Sequence, residues 1–223
     1  MEDMRFILFE KLAKVTWYQW ALFAAAVVAA VVLIVVLSRK GKKPKKTNIR
    51  ALTYGALCVS LSFILSYIKL FSAPQGGSVT LASMLPIMLY ACMFGTGRGL
   101  LAGLVYGLLQ FIQKPEIYHW AQVLLDYPLA FTMIGLAGLP KKLSLLPVGT
   151  IIGGFARFVV HTVSGFLFFS EVLNGSAFWA SAVYNGWYMQ FDTLICFVLA
   201  FPVAAIVKRT GIQPNRTEKP QNA

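Results

Sequence analysis

The chain has 223 residues, 58% hydrophobic and 13% charged, with a mean hydropathy of +0.69. A soluble domain of this length carries far more charge, so a water-soluble enzyme or nucleic-acid-binding module is excluded and a polytopic membrane protein is indicated. The formal net charge of +12 is unevenly spread, and its distribution sets the topology.

About seven apolar spans follow from the ~20-residue rule and from breaks at Gly, Pro and charge. The first, 17–37, reads "WYQWALFAAAVVAAVVLIVVL" and has no polar residue at its centre. It is longer than a signal-peptide core and lacks a small-residue cleavage site, so it reads as a retained anchor helix. The run "SRKGKKPKKTNIR" at 38–50 holds seven Lys and Arg. Between two hydrophobic spans such a run is a cytoplasmic loop and not a nucleic-acid site.

The second span, 50–70, carries Ala51-x-x-x-Gly55 and Ala56-x-x-x-Ser60. Small residues four apart allow close helix approach, either within the protein or to a partner. The outer loop "FSAPQGGS" (71–78) has adjacent glycines and reads equally as a lid or an ordinary connector. Spans 79–94 and 99–113 are short, consistent with tilt, re-entrance or burial by neighbours. Between them "GTGRG" is a tight turn; it lacks the Lys of a phosphate-binding loop. Spans 117–138, 146–170 and 177–207 complete the chain.

With 38–50 inside, 14 of the 20 Lys and Arg lie in cytoplasmic segments, and the outer loops between spans hold only Lys69 and Lys114. The N-terminus is therefore expected outside and the C-terminus inside. The expected units are a tail, anchor helix and basic loop (1–47), a six-helix membrane domain (48–209) and a cytoplasmic tail (210–223).

Asp126, in "QVLLDYPLAF", is an acid within an apolar run. It is about 14 Å below the outer surface at ~1.5 Å per residue. His119, Gln122 and Asp126, spaced 3 and 4 apart, form one polar stripe. His161 in "RFVVHTVSG" falls at the same ~14 Å, with Ser164, Gly165 and Phe168 on its face. Asn185 in "VYNGWY" lies about 12 Å deep, amid Trp179, Tyr184, Trp187 and Tyr188. An isolated acid costs about 2.5–3.5 kcal/mol at a bilayer centre. Three polar groups at matching depth point to a shared cavity, the alternative being three unrelated interhelical hydrogen bonds. A carboxylate among aromatic faces suits a cation or an aminated heteroaromatic ring. Deeper still, Arg157 and Asp192 share a level near 20–22 Å and form an expected structural ion pair.

Cys58, Cys92 and Cys196 lie in apolar spans without a CxxC and imply neither disulfide nor metal. No ATP-binding GxxxxGK[ST], HExxH or nucleophile–base spacing occurs, so neither a cofactor nor catalytic residues are expected. The sequons "NGS" (174–176) and "NRT" (215–217) are patterns frequent by chance.

Four stretches carry a resemblance: "GGSVTLASMLPIMLYACMFGTGRGLLAGLVYGLLQ", "HWAQVLLDYPLAFTMIGLAG", "RFVVHTVSG" and "VYNGWY". In this order and spacing, residues 48–209 resemble the thiamine-specific substrate-binding (S) components of energy-coupling factor (ECF) vitamin transporters, the ThiT family. The resemblance implies an all-α, six-helix S-component bundle in the bacterial cell membrane, to which 17–37 would be an extra helix. It also implies an outward-facing thiamine site, a transmembrane coupling subunit and two cytoplasmic ATPases. Carried over by motif, the site comprises Asp126 and Tyr127, His161 and Gly165, Phe169, Asn185 and Tyr118. Asp126 stands where the family also shows Glu, and Phe169 where it also shows Trp. Ala180 replaces a family Tyr, with Trp179 or Tyr184 as its substitute. His119 and Gln122 join from the stripe, and Ala51, Gly55, Ala56 and Ser60 approximate the family's Ala-x-x-x-Ala partner face. The rival readings are an S component for riboflavin or hydroxymethylpyrimidine, a polytopic membrane enzyme using Asp126 and the histidines, and a stand-alone carrier.

Overall fold

The computed structural model describes residues 49–73, 77–168 and 177–211. The expected helix 17–37, Phe169, both sequons and nearly all of the tail 210–223 lie outside them. Within them the chain forms six helices: α1 (Ile49–Ser66), α2 (Leu85–Phe94), α3 (Thr96–Gln113), α4 (Trp120–Gly138), α5 (Leu146–Phe168) and α6 (Ala177–Arg209). Helices α1, α4, α5 with its leading 3₁₀ turn, and α6 are long and apolar enough to cross a membrane. The all-α membrane fold expected from the sequence is the one observed.

Its packing places small residues inside and large apolar ones outside. On α1 the buried stripe is Ala51, Gly55, Val59, Ser62 and Ser66, while Leu52, Leu57, Leu61 and Ile64 are exposed. In lipid the outward face gains nothing by hiding, so close backbone approach decides the inward one. On α3 the inward face carries Gly99, Gly103 and Gly107. A Cβ at Gly103 would strike the Phe131 carbonyl and one at Gly107 the Tyr127 carbonyl of α4. This glycine ladder brings α3 and α4 into backbone contact.

Two expected spans change character. Residues 79–94 do not form one helix: Ser78–Thr80 is a strand, and α2 has only ten residues, nine of them buried. Proline near its first turn starts α2, and Gly95, at φ +99°, ends it in a conformation that favours glycine. Thus α2 is a core helix sheathed by its neighbours, around Ile87, Met88, Tyr90, Phe94, Tyr106 and Ile134. The second span ends at Ser66, because Lys69–Ser72 is already a strand. This β1 (Lys69–Ser72) pairs antiparallel with β2 (Ser78–Thr80), in the register Phe71↔Val79 and Ser72↔Ser78. The expected flexible loop therefore stands on a short hairpin.

The expected partner face divides. Ala51 and Gly55 point into the bundle, where Tyr90 donates its hydroxyl to the Ala51 carbonyl at 3.0 Å. A Cβ at Gly55 would lie 2.9 Å from the same hydroxyl, so these two serve internal packing. Ala56 and Ser60 are exposed. Gly55→Leu is accordingly expected to lower the melting temperature in detergent by several degrees, as overpacking costs about 1–3 kcal/mol. Wild-type melting would return Gly55 to the outer face.

Candidate functional site

Helix α4 is irregular where the site forms. Pro128 has no N–H to donate and its ring crowds the preceding turn. The chain responds with a π-helical turn over Leu125–Leu129, closed by the Ala130 N–H bonding to the Leu125 carbonyl. Asp126 and Tyr127 sit on this wide turn. Such π-turns recur at functional sites because they re-aim side chains.

One cavity gathers residues from every part of the same end of the bundle. Asp126, Tyr127, Tyr118, Gln122, His161, Gly165, Tyr184 and Asn185 all line it. Asp126 accepts from Gln122 Nε2 through Oδ2. Its other oxygen, Oδ1, lies 3.1 Å from His161 Nδ1, a close approach without hydrogen-bond geometry. That oxygen is buried with no hydrogen-bond donor, and so is His161 Nε2 with no partner. Helix α6 joins them: Asn185 Nδ2 donates to the His161 carbonyl at 3.3 Å and to the Ser181 carbonyl at 3.0 Å. The three polar groups assigned one depth are thus in a chain of contacts across α4, α5 and α6.

Other expected residues have local duties. The Tyr127 hydroxyl is occupied, donating to the Lys114 carbonyl at 2.7 Å and accepting from the Glu116 N–H at 2.9 Å. It fixes the 114–118 connection, and its ring packs edge-on against Phe111. Gly165 faces Ser181 so closely that a Cβ would collide with the Ser181 hydroxyl. His119 does not line the cavity. It caps α4 by accepting the Ala121 N–H through Nδ1 and stacks on Phe168 at 4.8 Å. Trp179 is 68% exposed, on the outer surface of α6. Phe169 lies outside the described residues.

Sequence reasoning missed a further wall. Ser66 of α1, Gln110 and Gln113 of α3, and Lys69 of β1 also line the cavity. The Ser66 hydroxyl donates to the Phe63 carbonyl at 2.6 Å and also contacts the Gln113 side-chain amide at 2.9 Å, linking α1 to α3 at this wall. Gln110 and Gln113, three residues apart near the end of an apolar span, are the signal the sequence carries. Glu116 also lines the cavity but is paired with Lys114 at 2.9 Å. Arg157 lines it too, paired with Asp192 at 3.2 Å and lying over the Phe131 ring at 4.5 Å. Among the described lining acids, Asp126 therefore remains without a fixed positive charge. No cluster of three potential metal ligands occurs among the described residues.

Residues 52–211 match the family described as Thiamine transporter protein (Thia_YuaJ). The chain is 35% identical to the thiamine transporter ThiT of Bacillus subtilis (strain 168) over 145 residues, covering 57% of this chain and 75% of that protein. It is 29% identical to the thiamine transporter ThiT of Lacticaseibacillus paracasei over 136 residues, covering 52% of this chain and 68% of that protein. A solved structure of ThiT from Listeria monocytogenes superposes with a TM-score of 0.64 at 25% identity, covering 76% of this chain and all of that one.

Proposed function

The chain belongs to the Thiamine transporter protein family, and from that premise we propose that it is the thiamine-binding membrane subunit of an ATP-driven ECF importer. The observation that carries this reading is Asp126 Oδ1, a buried carboxylate oxygen with no hydrogen-bond donor in a cavity lined by aromatics. Thiamine combines a permanently cationic thiazolium with an aminopyrimidine. Its amino group supplies the missing donor, and its charge offsets the acid. His161 and Asn185 supply polar partners suited to the ring nitrogens and amino group, and Tyr118, Tyr184 and Tyr127 supply aromatic rings in the lining. A charge-assisted bond of this kind contributes about 1.5–3 kcal/mol.

The chain carries no GxxxxGK[ST] motif, so energy must come from elsewhere. In this reading residues 48–209 form the binding domain. The cavity opens outward, the C-terminus is cytoplasmic, and a transmembrane coupling subunit with two ATPases supplies the work. The exposed Ala56 and Ser60 offer a small-residue face to that subunit. Ala56→Leu is expected to reduce thiamine uptake by cells at least tenfold while leaving binding by the purified protein unchanged. Parallel loss of both would make the face a structural one.

Calorimetric titration of the purified chain in detergent tests the ligand. Thiamine should give saturable 1:1 binding and riboflavin none, with hydroxymethylpyrimidine weaker than thiamine because it lacks the thiazolium. Saturation by riboflavin but not thiamine would overturn the ligand assignment. Turnover of thiamine by the isolated chain would favour an enzyme.

A further inference from the structure

The lining of the cavity includes Lys69, Gly77 and Ser78 from the β1–β2 hairpin. A hairpin with a three-residue second strand has little stability of its own, so its position depends on what fastens it. The fastening is Asp192, two helical turns beyond Asn185 on α6. Asp192 Oδ1 accepts both the backbone N–H and the hydroxyl of Thr80, each at 3.0 Å. Oδ2 accepts from Arg157 at 3.2 Å. Because the Thr80 hydroxyl donates to the carboxylate, its 2.7 Å contact with Ser83 has Ser83 as donor. Asp192, Thr80 and Ser83 are all buried, where such bonds are not exchanged for water. From this anchor β2 runs back to Gly77. A Cβ on Gly77 would lie 2.7 Å from the Tyr188 ring, and Tyr188 donates to Asn185 Oδ1 at 3.2 Å. The hairpin is thus seated on the residues that line the site.

We propose that Thr80 and Asp192 are positioning residues for ligand retention: they fasten β2 to α6 and so hold Gly77 and Ser78 in the cavity wall. The proposal rests on the thiamine-binding reading for its consequence, but not for the latch itself. Neither residue is assigned a ligand contact, so loosening the latch speeds escape and leaves capture nearly unaltered.

Two measurements on the full chain test it. The first is amide hydrogen exchange of the peptide spanning 77–81, without ligand, in wild type, Thr80→Val and Thr80→Ser. Thr80→Val removes the hydroxyl with little change of shape and should exchange about tenfold faster there, with α3 peptides unchanged as evidence of folding. Thr80→Ser should stay near wild type. The second is release of radiolabelled thiamine into excess unlabelled thiamine. Thr80→Val should release up to about tenfold faster, with an association rate within about twofold of wild type, and Thr80→Ser should release normally. Ser83→Ala, which loosens the same hydroxyl, should fall between. Unchanged exchange in Thr80→Val, or faster exchange with an unchanged release rate, overturns the proposal. A purely structural role would lower the folded fraction without accelerating release from what remains. If wild type holds no thiamine yet exchange responds as described, the latch stands and the ligand assignment falls.

Discussion

Asp126→Ala is expected to weaken thiamine binding by about 10- to 100-fold, measured by calorimetry in detergent. Asp126 Oδ1 is buried without a hydrogen-bond donor, so the ligand supplies a bond that the apo protein lacks. Removing the carboxylate removes that bond and the charge facing the cation. It also removes one of the two acceptors of Gln122 Nε2, which donates to Oδ2 and, at 3.4 Å, to the Glu116 carbonyl, so part of the loss is reorganisation of the stripe. Asp126→Asn separates the two effects. It keeps an acceptor and the partner of Gln122 but carries no charge, and should recover part of the affinity. The control is melting temperature: an exposed or non-binding Asp126 would leave affinity unchanged in a folded mutant, and that result would remove it from the site.

The convergence of α4, α5 and α6 was legible because each carries a polar residue several positions in from the same end of the bundle, although α4 starts at Trp120 and not near 117 and bears a π-turn at Asp126. Of the three, His161 and Asn185 lie on regular α-helix, where residue spacing measures distance along the axis. Rotation about the axis is less forgiving. His119 precedes the first turn of α4, with φ −153° and ψ 143°, so helical spacing does not apply to it and its ring caps instead. Trp179 is two residues from Ser181, hence about 200° around α6 from the face that meets α5. The π-turn was not foreseen, although Pro128 two residues after Asp126 was its signal. Ala51 and Gly55 show the limit of small-residue motifs. The pattern marks close approach, but only the Tyr90 hydroxyl beside them shows that the approach is internal.

The same limit applies to the ladder Gly99, Gly103 and Gly107, spaced at four like the α1 pairs: Gly103 and Gly107 meet α4, whereas Gly99 meets Ala91 of α2 first. Gly107→Leu is expected to damage the fold and the site together. Its Cβ would meet the Tyr127 carbonyl and lie 2.9 Å from Phe131 Cβ. A backbone carbonyl cannot turn aside as a flexible side chain can, so α3 and α4 must separate. Overpacking of a well-packed contact costs about 1–3 kcal/mol, and more where backbone must move. Because Tyr127 belongs to the π-turn, the displacement reaches Asp126 directly. Both the melting temperature and the thiamine affinity of Gly107→Leu should fall, the affinity by more than tenfold in whatever protein remains folded. Leu108, the next residue, is 47% exposed, and Leu108→Ala should change neither. Equal tolerance of both substitutions would mean that α3 and α4 are not in backbone contact, and the glycine ladder would lose its role in holding the turn that carries Asp126.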